Sequence, residues 1–346
     1  MISNLISKLE KKIDLSYDEI KLIMTEMLSG KTSDIENLDF LSNLADKGET
    51  DDELLGMLDK MQEFAIKVEP KNKGRIIDMC GTGGDSLQTF NISTTASFVV
   101  AAAGGVVAKH GNRSSSGISG SADIFEFFGY NLDQEPQKIT EILEKHGICF
   151  MFAQKFHHAM KHVSSARKQF GKRTAFNLLG PLSNPANIKN QLVGVSSTKY
   201  LERLPEILKR KGSENIITVR SNDGMDEFST NTTNKICILR NGEVSRVTVD
   251  PEKIGLHKSK LEEIQIRTKD DAIRAFVGVL NNTANQAMIE TTALNAAGGL
   301  IVGEISKDFG EAVNLALNTI KDGRAMSLLE KFVKDTGDSS KLKEIT

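Results

Sequence analysis

Three short stretches of the sequence combine glycine, hydroxyl side chains and charge in a way that suits phosphate and a divalent cation. The first, residues 80–94 (CGTGGDSLQTFNIST), lies between two apolar runs. Glycine lets a ligand approach the main chain closely. Free N–H groups at a helix start, together with hydroxyls, favour an anion, most often phosphate. We expect Asn91, Ser93 and Thr94 to cap the helix that follows; a plain glycine-rich turn is the alternative.

The second stretch, residues 109–123 (KHGNRSSSGISGSAD), follows the apolar run GGVVA. Lys109, His110 and Arg113 supply donors and positive charge, and a run of serines and glycines comes after them. We expect Ser121 to cap a short helix that ends at Gly129. Because the stretch follows a buried strand, we favour a second phosphate-facing loop over a solvated flexible one.

The third stretch, residues 220–230 (RSNDGMDEFST), crowds three acids into a short loop: Asp223, Asp226 and Glu227. The adjacent Asp226 and Glu227 repel each other unless a cation or water separates them. Alone, this pattern indicates a hydrated turn. Beside two phosphate loops it predicts a Mg²⁺ site, since hard oxygen ligands suit that ion and phosphates complete its shell.

The histidines of HHAMKH are the other candidate ligands for a metal. His158 and His162 stand four residues apart, which is a possible metal pair. No HExxH pattern and no nearby cysteine supports zinc. We therefore expect His157, His158 and His162 to lie on a helix surface.

Composition and charge exclude several classes of function. The 346 residues include 44 Lys and Arg against 46 Asp and Glu, so the formal net charge is −2. The chain therefore lacks the excess of basic residues that would predict nucleic acid or an anionic membrane as a partner. The three cysteines show no CxxC spacing, which favours a reduced, cytoplasmic protein without disulfides. The charged N-terminus does not resemble a signal peptide, and the apolar runs are too short to span a bilayer.

The order of elements predicts an α/β fold. Residues 1–68 carry helical periodicity throughout, with a capping-box pattern at Ser16 and Glu19. A polar linker follows at 69–74, after which short β-rich runs alternate with helices and predict a mostly parallel central sheet flanked by helices. Asn241-Gly242 predicts a terminal hairpin, and 270–335 is helical again. We expect a small all-helical domain, 1–70, and a large α/β domain, 71–346.

Four ordered motifs resemble one family. DMCGTGGDSLQTFNIST, KHGNR…GSAD, RTAFNLLGPLSNPA and DEFS, with LNAAGGLIVG near the end, are similar to those of the anthranilate phosphoribosyltransferases of tryptophan biosynthesis. The resemblance implies transfer of the phosphoribosyl group from phosphoribosyl pyrophosphate (PRPP) to the amine of anthranilate. It also implies two Mg²⁺ per subunit and a homodimer formed through the small helical domain, with a segment near 165–190 packed against that domain.

The resemblance also assigns site residues by motif. Those implied to hold PRPP are Gly81, Gly84, Asp85, Thr89, Asn91, Ile92, Ser93, Thr94, Lys109, His110, Gly111, Asn112, Arg113, Ser114, Ser115, Ser116, Gly117 and Ser121. Those implied to meet anthranilate are Gly81, Asn112 and Arg167, and those implied to bind magnesium are Ser93, Asp226 and Glu227. The ribose ring oxygen can share positive charge at C1, so we expect no covalent nucleophile, with assistance from His110 or Lys109.

The chain departs from the family pattern at two places. Many relatives have Ser-Lys or Gly-Lys where this chain has Gly117-Ile118, so one cation near the phosphates is missing and we expect lower PRPP affinity. Gln154 replaces the usual proline after FMFA, and His157-His158 replaces His-Pro. That segment leads toward Arg167, so the departures concern the acceptor side.

Two other classes remain open at this point. A pyrimidine-nucleoside phosphorylase shares the architecture and also cleaves a C1 bond, with phosphate as the partner. It should lack the Asp226-Glu227 pair and the stretch RTAFNLLGPL in this form. A non-catalytic relative that binds nucleic acid should present a basic surface, against which the net charge of −2 counts.

Overall fold

The computed structural model describes residues 2–71, 74–85, 87–114 and 117–345. The chain forms two compact units. One, the helical unit, comprises Met1–Lys67 and Ala153–Asn187; the other, the α/β unit, comprises Val68–Phe152 and Ile188–Thr346. The family resemblance implies only a segment near 165–190 as a companion of the first helices, whereas the whole of 153–187 belongs to the helical unit.

The described residues form sixteen α-helices and seven strands, numbered here in chain order. The helices are α1 Ile2–Glu10, α2 Tyr17–Leu28, α3 Asp34–Lys47, α4 Asp51–Glu63, α5 Ile92–Ala102, α6 Ser121–Phe127, α7 Pro136–His146, α8 Ala153–Phe156, α9 Lys161–Phe170, α10 Ala175–Leu179, α11 Thr198–Arg210, α12 Lys269–Leu280, α13 Gln286–Val302, α14 Phe309–Lys321, α15 Arg324–Thr336 and α16 Ser339–Lys343. The strands are β1 Ile76–Gly81, β2 Val106–Gly111, β3 Ile148–Phe152, β4 Asn190–Gly194, β5 Asn215–Ser221, β6 Asn234–Arg240 and β7 Glu243–Val249.

Hydroxyl caps define the starts of the helices in the helical unit. Ser16, Ser33 and Thr50 each accept from the third residue of the following helix, and the glutamate at that position bonds back to the cap. These reciprocal bonds satisfy N–H groups that a helix start leaves without partners. The capping box predicted at Ser16 is confirmed. Later in the unit, α9 packs against α3, and the Asn37 amide donates to the carbonyl of His162 at 3.1 Å.

One seven-stranded sheet forms the α/β unit, in the order β3-β2-β1-β4-β5-β6-β7. The first five strands of this order pair in parallel, and β6 and β7 are antiparallel. The hairpin turn is Asn241-Gly242, both with positive φ as a two-residue turn of this kind requires. The mostly parallel sheet and the hairpin are confirmed.

The strand order reverses between β1 and β4, because the chain continues from β1 to β2 and β3 on one side and from β4 to β5 on the other. Gly81 is the register partner of Gly194, so the last residues of the two strands are neighbours. In open α/β sheets, ligands bind outside the carboxyl ends of the strands at such a reversal. The buried helices α5 and α13 pack against each other and against β1, which supports this part of the sheet. The fold therefore gathers the glycine-rich and serine-rich loops at one edge.

No helix of the described part of the chain is long and apolar enough to cross a membrane.

Candidate active site

Asp226 lies against the paired ends of β1 and β4. A Cβ atom on Gly194 would overlap the main-chain carbonyl of Asp226, and one on Gly81 would lie 2.6 Å from its carboxylate. Asp226 is buried, and its carboxylate accepts a hydrogen bond from the N–H of Gly83 at 2.5 Å. The two glycines therefore make room for the acidic segment at the edge of the sheet.

Gly81, the first glycine of the loop, leaves space that is occupied by an acidic side chain of the protein itself. The sequence predicts that Gly81 lets a ligand approach the main chain, but in the structure the group that approaches it is Asp226. Gly83 and Gly84 have φ values of 70° and 98°, which L side chains rarely adopt. Both are exposed, but the N–H of Gly83 is bonded to Asp226, so Gly84 offers the main chain that is open to a phosphate.

Ser93 and Lys109 lie beside Glu227, the second acid of the segment. The side chain of Lys109 is 2% exposed, and its ammonium donates to the carbonyl of Met79 at 2.7 Å and to the hydroxyl of Ser93 at 3.3 Å. The Ser93 hydroxyl in turn hydrogen-bonds to Glu227. Burial and the neighbouring Asp226 raise the pKa of Glu227 to about 8. Burial lowers the pKa of Lys109.

The structure thus brings together the three residues implied to bind magnesium, Ser93, Asp226 and Glu227. In the described ranges, no group of three His, Cys, Asp or Glu side chains is placed to hold a metal ion by itself. Two carboxylates and a hydroxyl fit a hard cation that takes its remaining ligands from phosphate oxygens or water. The raised pKa of Glu227 fits the same interpretation, because a cation would favour its charged form.

Asn91 does not cap α5 with its side chain, contrary to the prediction. It occupies the N-cap position, but its amide instead donates to the carbonyl of Ser119 at 3.2 Å. Ser93 and Thr94 lie within the first turn and are not caps either. The bond from Asn91 joins the glycine-rich loop to the serine-rich loop, which no local capping rule could indicate.

The serine-rich loop closes on itself where the structure describes it. Its two ends approach so closely that a Cβ on Gly120 would lie 2.6 Å from the carbonyl of Asn112. The Ser114 hydroxyl accepts from the N–H of Gly117 at 2.6 Å. Ser121 is the first residue of α6 and does not precede it, so Gly120 holds the cap position predicted for Ser121. Ser115 and Ser116, which the family resemblance assigns to PRPP, lie outside the described residues.

Arg113 is engaged by the helix that follows its loop. Its guanidinium donates to both oxygens of Glu126, at 2.5 and 2.6 Å. This pairing raises the pKa of Arg113. The ion pair ties the start of the serine-rich loop to α6. Both terminal nitrogens of Arg113 are thus engaged by Glu126.

Asp78 is a buried polar residue of the site that sequence reasoning missed. Its carboxylate is fully buried in β1 and accepts from the N–H groups of Met79 at 2.8 Å and His110 at 3.3 Å, and from the Gln191 amide at 3.3 Å. It therefore links β1 to β2 and β4 directly beneath the loops. An acid inside the apolar run RIIDM was the signal available in the sequence.

The other residues that the resemblance assigns to PRPP lie in different surroundings. Ile92 is buried, and its N–H donates to the carbonyl of Phe90 at 2.7 Å. Asp85 is half-buried and accepts from the N–H of Leu87 at 3.2 Å. Thr89 forms an isolated bridge with Gln265. Gly111, the last residue of β2, has no room for a side chain beside Ser121.

Arg167 lies in α9 of the helical unit. Its guanidinium stands 5.5 Å from the ring centre of Phe176. Burial lowers the pKa of Arg167, which is half-buried. Among the described residues, no acidic side chain forms an ion pair with it. A half-buried guanidinium without a carboxylate partner is suited to an anionic ligand.

The prediction that all three neighbouring histidines lie on a helix surface is wrong for His157. His157 is buried, and its Nε2 lies 3.3 Å from the Ser183 hydroxyl. Burial lowers its pKa to about 4. His158 is exposed, as predicted, and His162 is half-buried.

Comparisons with known proteins agree with this fold and site. Residues 3–65 match the glycosyl transferase family, helical bundle domain, and residues 73–326 match the glycosyl transferase family, a/b domain. Fold and site together thus define a glycosyl transferase. The chain is 79% identical over 345 residues to the anthranilate phosphoribosyltransferase of Nitrosopumilus maritimus, covering 100% of this chain and 99% of that protein. It belongs to the anthranilate phosphoribosyltransferase family, as the four motifs predicted.

Solved structures are similar over almost the whole chain. Anthranilate phosphoribosyltransferase from Thermus thermophilus superimposes with a TM-score of 0.89 at 32% identity, covering 95% of this chain and 98% of that chain. The enzyme of that name from Saccharomyces cerevisiae, solved in complex with PRPP and Mg, has a TM-score of 0.87 at 22% identity and covers 97% of each chain.

Proposed function

We propose that this protein transfers the phosphoribosyl group of PRPP to the amine of anthranilate, giving N-(5-phosphoribosyl)anthranilate and pyrophosphate. The observation that carries the proposal is the convergence of two phosphate-type loops on the acidic pair Asp226-Glu227 at the strand reversal. The named activity of the relative with 79% identity supports the same reaction.

PRPP is proposed to bind at the carboxyl edge of the sheet. The exposed main chain of Gly84 and the start of α5 would offer N–H groups to its phosphates. Ser93, Asp226 and Glu227 would hold Mg²⁺, which when bound would neutralise charge on the pyrophosphate. The yeast structure with PRPP and Mg supports the use of this metal. We propose two ions per subunit, in keeping with the family resemblance.

The residues of the site are proposed to stabilise charge in the transition state, and none of them is proposed to attack the substrate. Cleavage of the bond from C1 to pyrophosphate gives an oxocarbenium-like transition state, for which the protein need supply no nucleophile. The buried Lys109 holds Ser93 and faces Glu227, so it balances the acidic pair from within. The loop N–H groups would bind the leaving pyrophosphate as negative charge develops on it. His110 would accept a proton late in the reaction.

Anthranilate is proposed to bind through its carboxylate to Arg167. A guanidinium grips a carboxylate with two hydrogen bonds and so fixes the direction of the neighbouring amine. The absence of an ion-pair partner for Arg167 among the described residues supports this role. Gly81 and Asn112 are proposed as further contacts, with Gly81 limited to its main chain because Asp226 covers its α-carbon.

The test is an assay of anthranilate fluorescence in the presence of PRPP and Mg²⁺. We expect fluorescence to fall only when protein, PRPP and metal are all present, with one pyrophosphate released for each anthranilate consumed. Activity on a pyrimidine nucleoside with phosphate, and none on anthranilate, would instead assign the protein to the nucleoside phosphorylases. Binding of nucleic acid without turnover of either substrate would show a non-catalytic relative.

A further inference from the structure

The helical unit carries a strongly asymmetric distribution of charge. Asp and Glu make up 46 of the 346 residues, yet residues 145–201 contain neither. The stretch Ala153–Asn187, which lies wholly inside that segment, contributes six lysines and arginines to the unit: Lys155, Lys161, Arg167, Lys168, Lys172 and Arg173. The charged lysines and arginines of this second stretch therefore have no acid within the stretch itself.

Three of these cations are exposed and carry no ion pair with any residue that the structure describes: Lys161, Lys168 and Lys172. Elsewhere in the same unit some lysines are paired with acids, whereas Lys11, Lys12 and Lys21 form no ion pair with a described residue. Lys47 lies 2.7 Å from Asp14 and 2.9 Å from Glu53, and Lys60 lies 2.8 Å from Glu63. The ammonium groups on and just after α9 thus form no ion pair with the described acids of their own unit.

Lys161 and Lys168 lie in α9 together with Arg167, and Lys172 follows two residues after the end of that helix. An α-helix rises about 1.5 Å per residue, so Lys161 is roughly 9 Å from Arg167 along the axis of α9. Lys168 is its immediate neighbour in sequence. The Debye length grows from about 10 Å at 0.1 M ionic strength to about 30 Å at 0.01 M, so the influence of these charges on an anion at Arg167 should be greatest at low salt.

We propose that Lys161, Lys168 and Lys172 form an anion-collecting face that raises the local concentration of anthranilate at Arg167. The proposal rests on the proposed function, since anthranilate is the acceptor there. Surfaces with one sign of charge raise the local concentration of an oppositely charged ligand. Because exposed ammonium groups remain hydrated and mobile, they attract the carboxylate without fixing its position. Of these cations, only Arg167 then holds the carboxylate of the bound molecule.

The test compares two triple variants with the same change in charge. One replaces Lys161, Lys168 and Lys172 by Gln. The control makes the same replacement at three exposed lysines of α14 and α15, namely Lys321, Lys331 and Lys334. The KM for anthranilate and the KM for PRPP are measured separately at ionic strengths of about 0.02 M and about 0.5 M, between which the Debye length falls several-fold.

We expect the first variant to raise the KM for anthranilate about two- to fivefold at low salt, with little change in kcat or in the KM for PRPP. At high salt the difference from wild type should disappear. The single substitution Lys168→Glu, which reverses one charge, should raise the same KM at low salt and provides a second variant if the triple variant folds poorly.

An unchanged KM for anthranilate at low salt would overturn the proposal. An equal rise in the control variant, or an equal rise in the KM for PRPP, would also overturn it, since the effect would then come from net charge alone. Failure of the proposed function gives a different result, because wild-type protein would then show no turnover of anthranilate at any ionic strength.

Discussion

At the scale of single residues, Gly81 and Gly194 set the position of the acidic segment. A methyl group on Gly194 meets the main chain of Asp226, which cannot move without its loop, whereas one on Gly81 meets the flexible end of the Asp226 side chain. We expect Gly194→Ala to lower the free energy of unfolding by about 2 kcal/mol or more, since overpacking typically costs roughly 1–3 kcal/mol. Gly81→Ala should change stability less but still displace the carboxylate and reduce turnover.

Urea unfolding and steady-state kinetics separate the two effects. Gly74→Ala is the matched control, because a Cβ there has no atom within 4 Å among its described surroundings. If Gly194→Ala unfolds at the same urea concentration as wild type, the close approach of Asp226 to β4 is not the reason for glycine at that position.

Arg167 supports a prediction about the acceptor. A contact made in both ground state and transition state affects KM more than kcat. Loss of a charged hydrogen bond costs on the order of 1.5–3 kcal/mol, so Arg167→Ala should raise the KM for anthranilate roughly ten- to a hundredfold. The KM for PRPP should change little. Arg167→Lys, which keeps the charge but not the paired donors, should recover part of the loss.

Kinetics with each substrate varied in turn distinguish the roles open to Arg167. A variant Arg167→Ala that keeps the KM for anthranilate and raises that for PRPP would make Arg167 a phosphate ligand or a structural residue.

Residue types predicted which loops meet the acidic pair better than they predicted the internal contacts of the site. Adjacent acids beside glycine-rich and serine-rich loops led to the prediction of magnesium and phosphate, and the structure brings Ser93, Asp226 and Glu227 together. The partners of Asn91 and Asp78 could not be predicted, because they include Ser119, His110 and Gln191, which are distant in sequence. Local capping rules describe only neighbours along the chain.

At the scale of elements, local patterns located most helices and strands. The Ser or Thr followed three residues later by Glu marks the starts of α2, α3 and α4, and Asn241-Gly242 marks the hairpin. The membership of Ala153–Asn187 in the helical unit could not be predicted in full. It depends on packing of α9 against α3, which lies more than a hundred residues earlier in the chain.

His157, between α8 and α9, should make the stability of the protein depend on pH. Burial lowers the pKa of His157 from 6.5 to about 4, so the folded state binds this proton less readily than the unfolded state. The contribution of neutral His157 to the free energy of unfolding is fully present above about pH 6.5, and it is lost as the pH falls toward 4. Since one pKa unit corresponds to about 1.4 kcal/mol, the loss is on the order of 3 kcal/mol.

Urea unfolding between about pH 4 and pH 7 measures this dependence. His157→Gln should flatten it, while His158→Gln, at an exposed neighbour, should leave it unchanged. The same slope in His157→Gln as in wild type would show that other groups titrate in this range.

At the scale of the whole molecule, we predict a homodimer formed through helices α1–α4. The helical unit is small, and small cores are commonly stabilised by association. Ile13, Leu22 and Ile35 are large apolar residues exposed in this unit, at 49%, 38% and 73%. Sedimentation at micromolar concentration should give the mass of two chains, and Leu22→Glu with Ile35→Glu should shift the equilibrium toward one. A wild-type monomer at that concentration would contradict this assembly.

The magnesium dependence of turnover tests the central claim, that the acidic pair holds the metal on which PRPP chemistry depends. Anthranilate consumption is measured against Mg²⁺ concentration for wild type and for Asp226→Asn with Glu227→Gln, with the fold checked by circular dichroism. We predict that wild-type turnover requires and saturates with Mg²⁺. The double variant should fold and lose Mg²⁺-dependent turnover, because its site no longer has carboxylates to hold the cation. Undiminished turnover in the double variant, with an unchanged magnesium requirement, would contradict the claim.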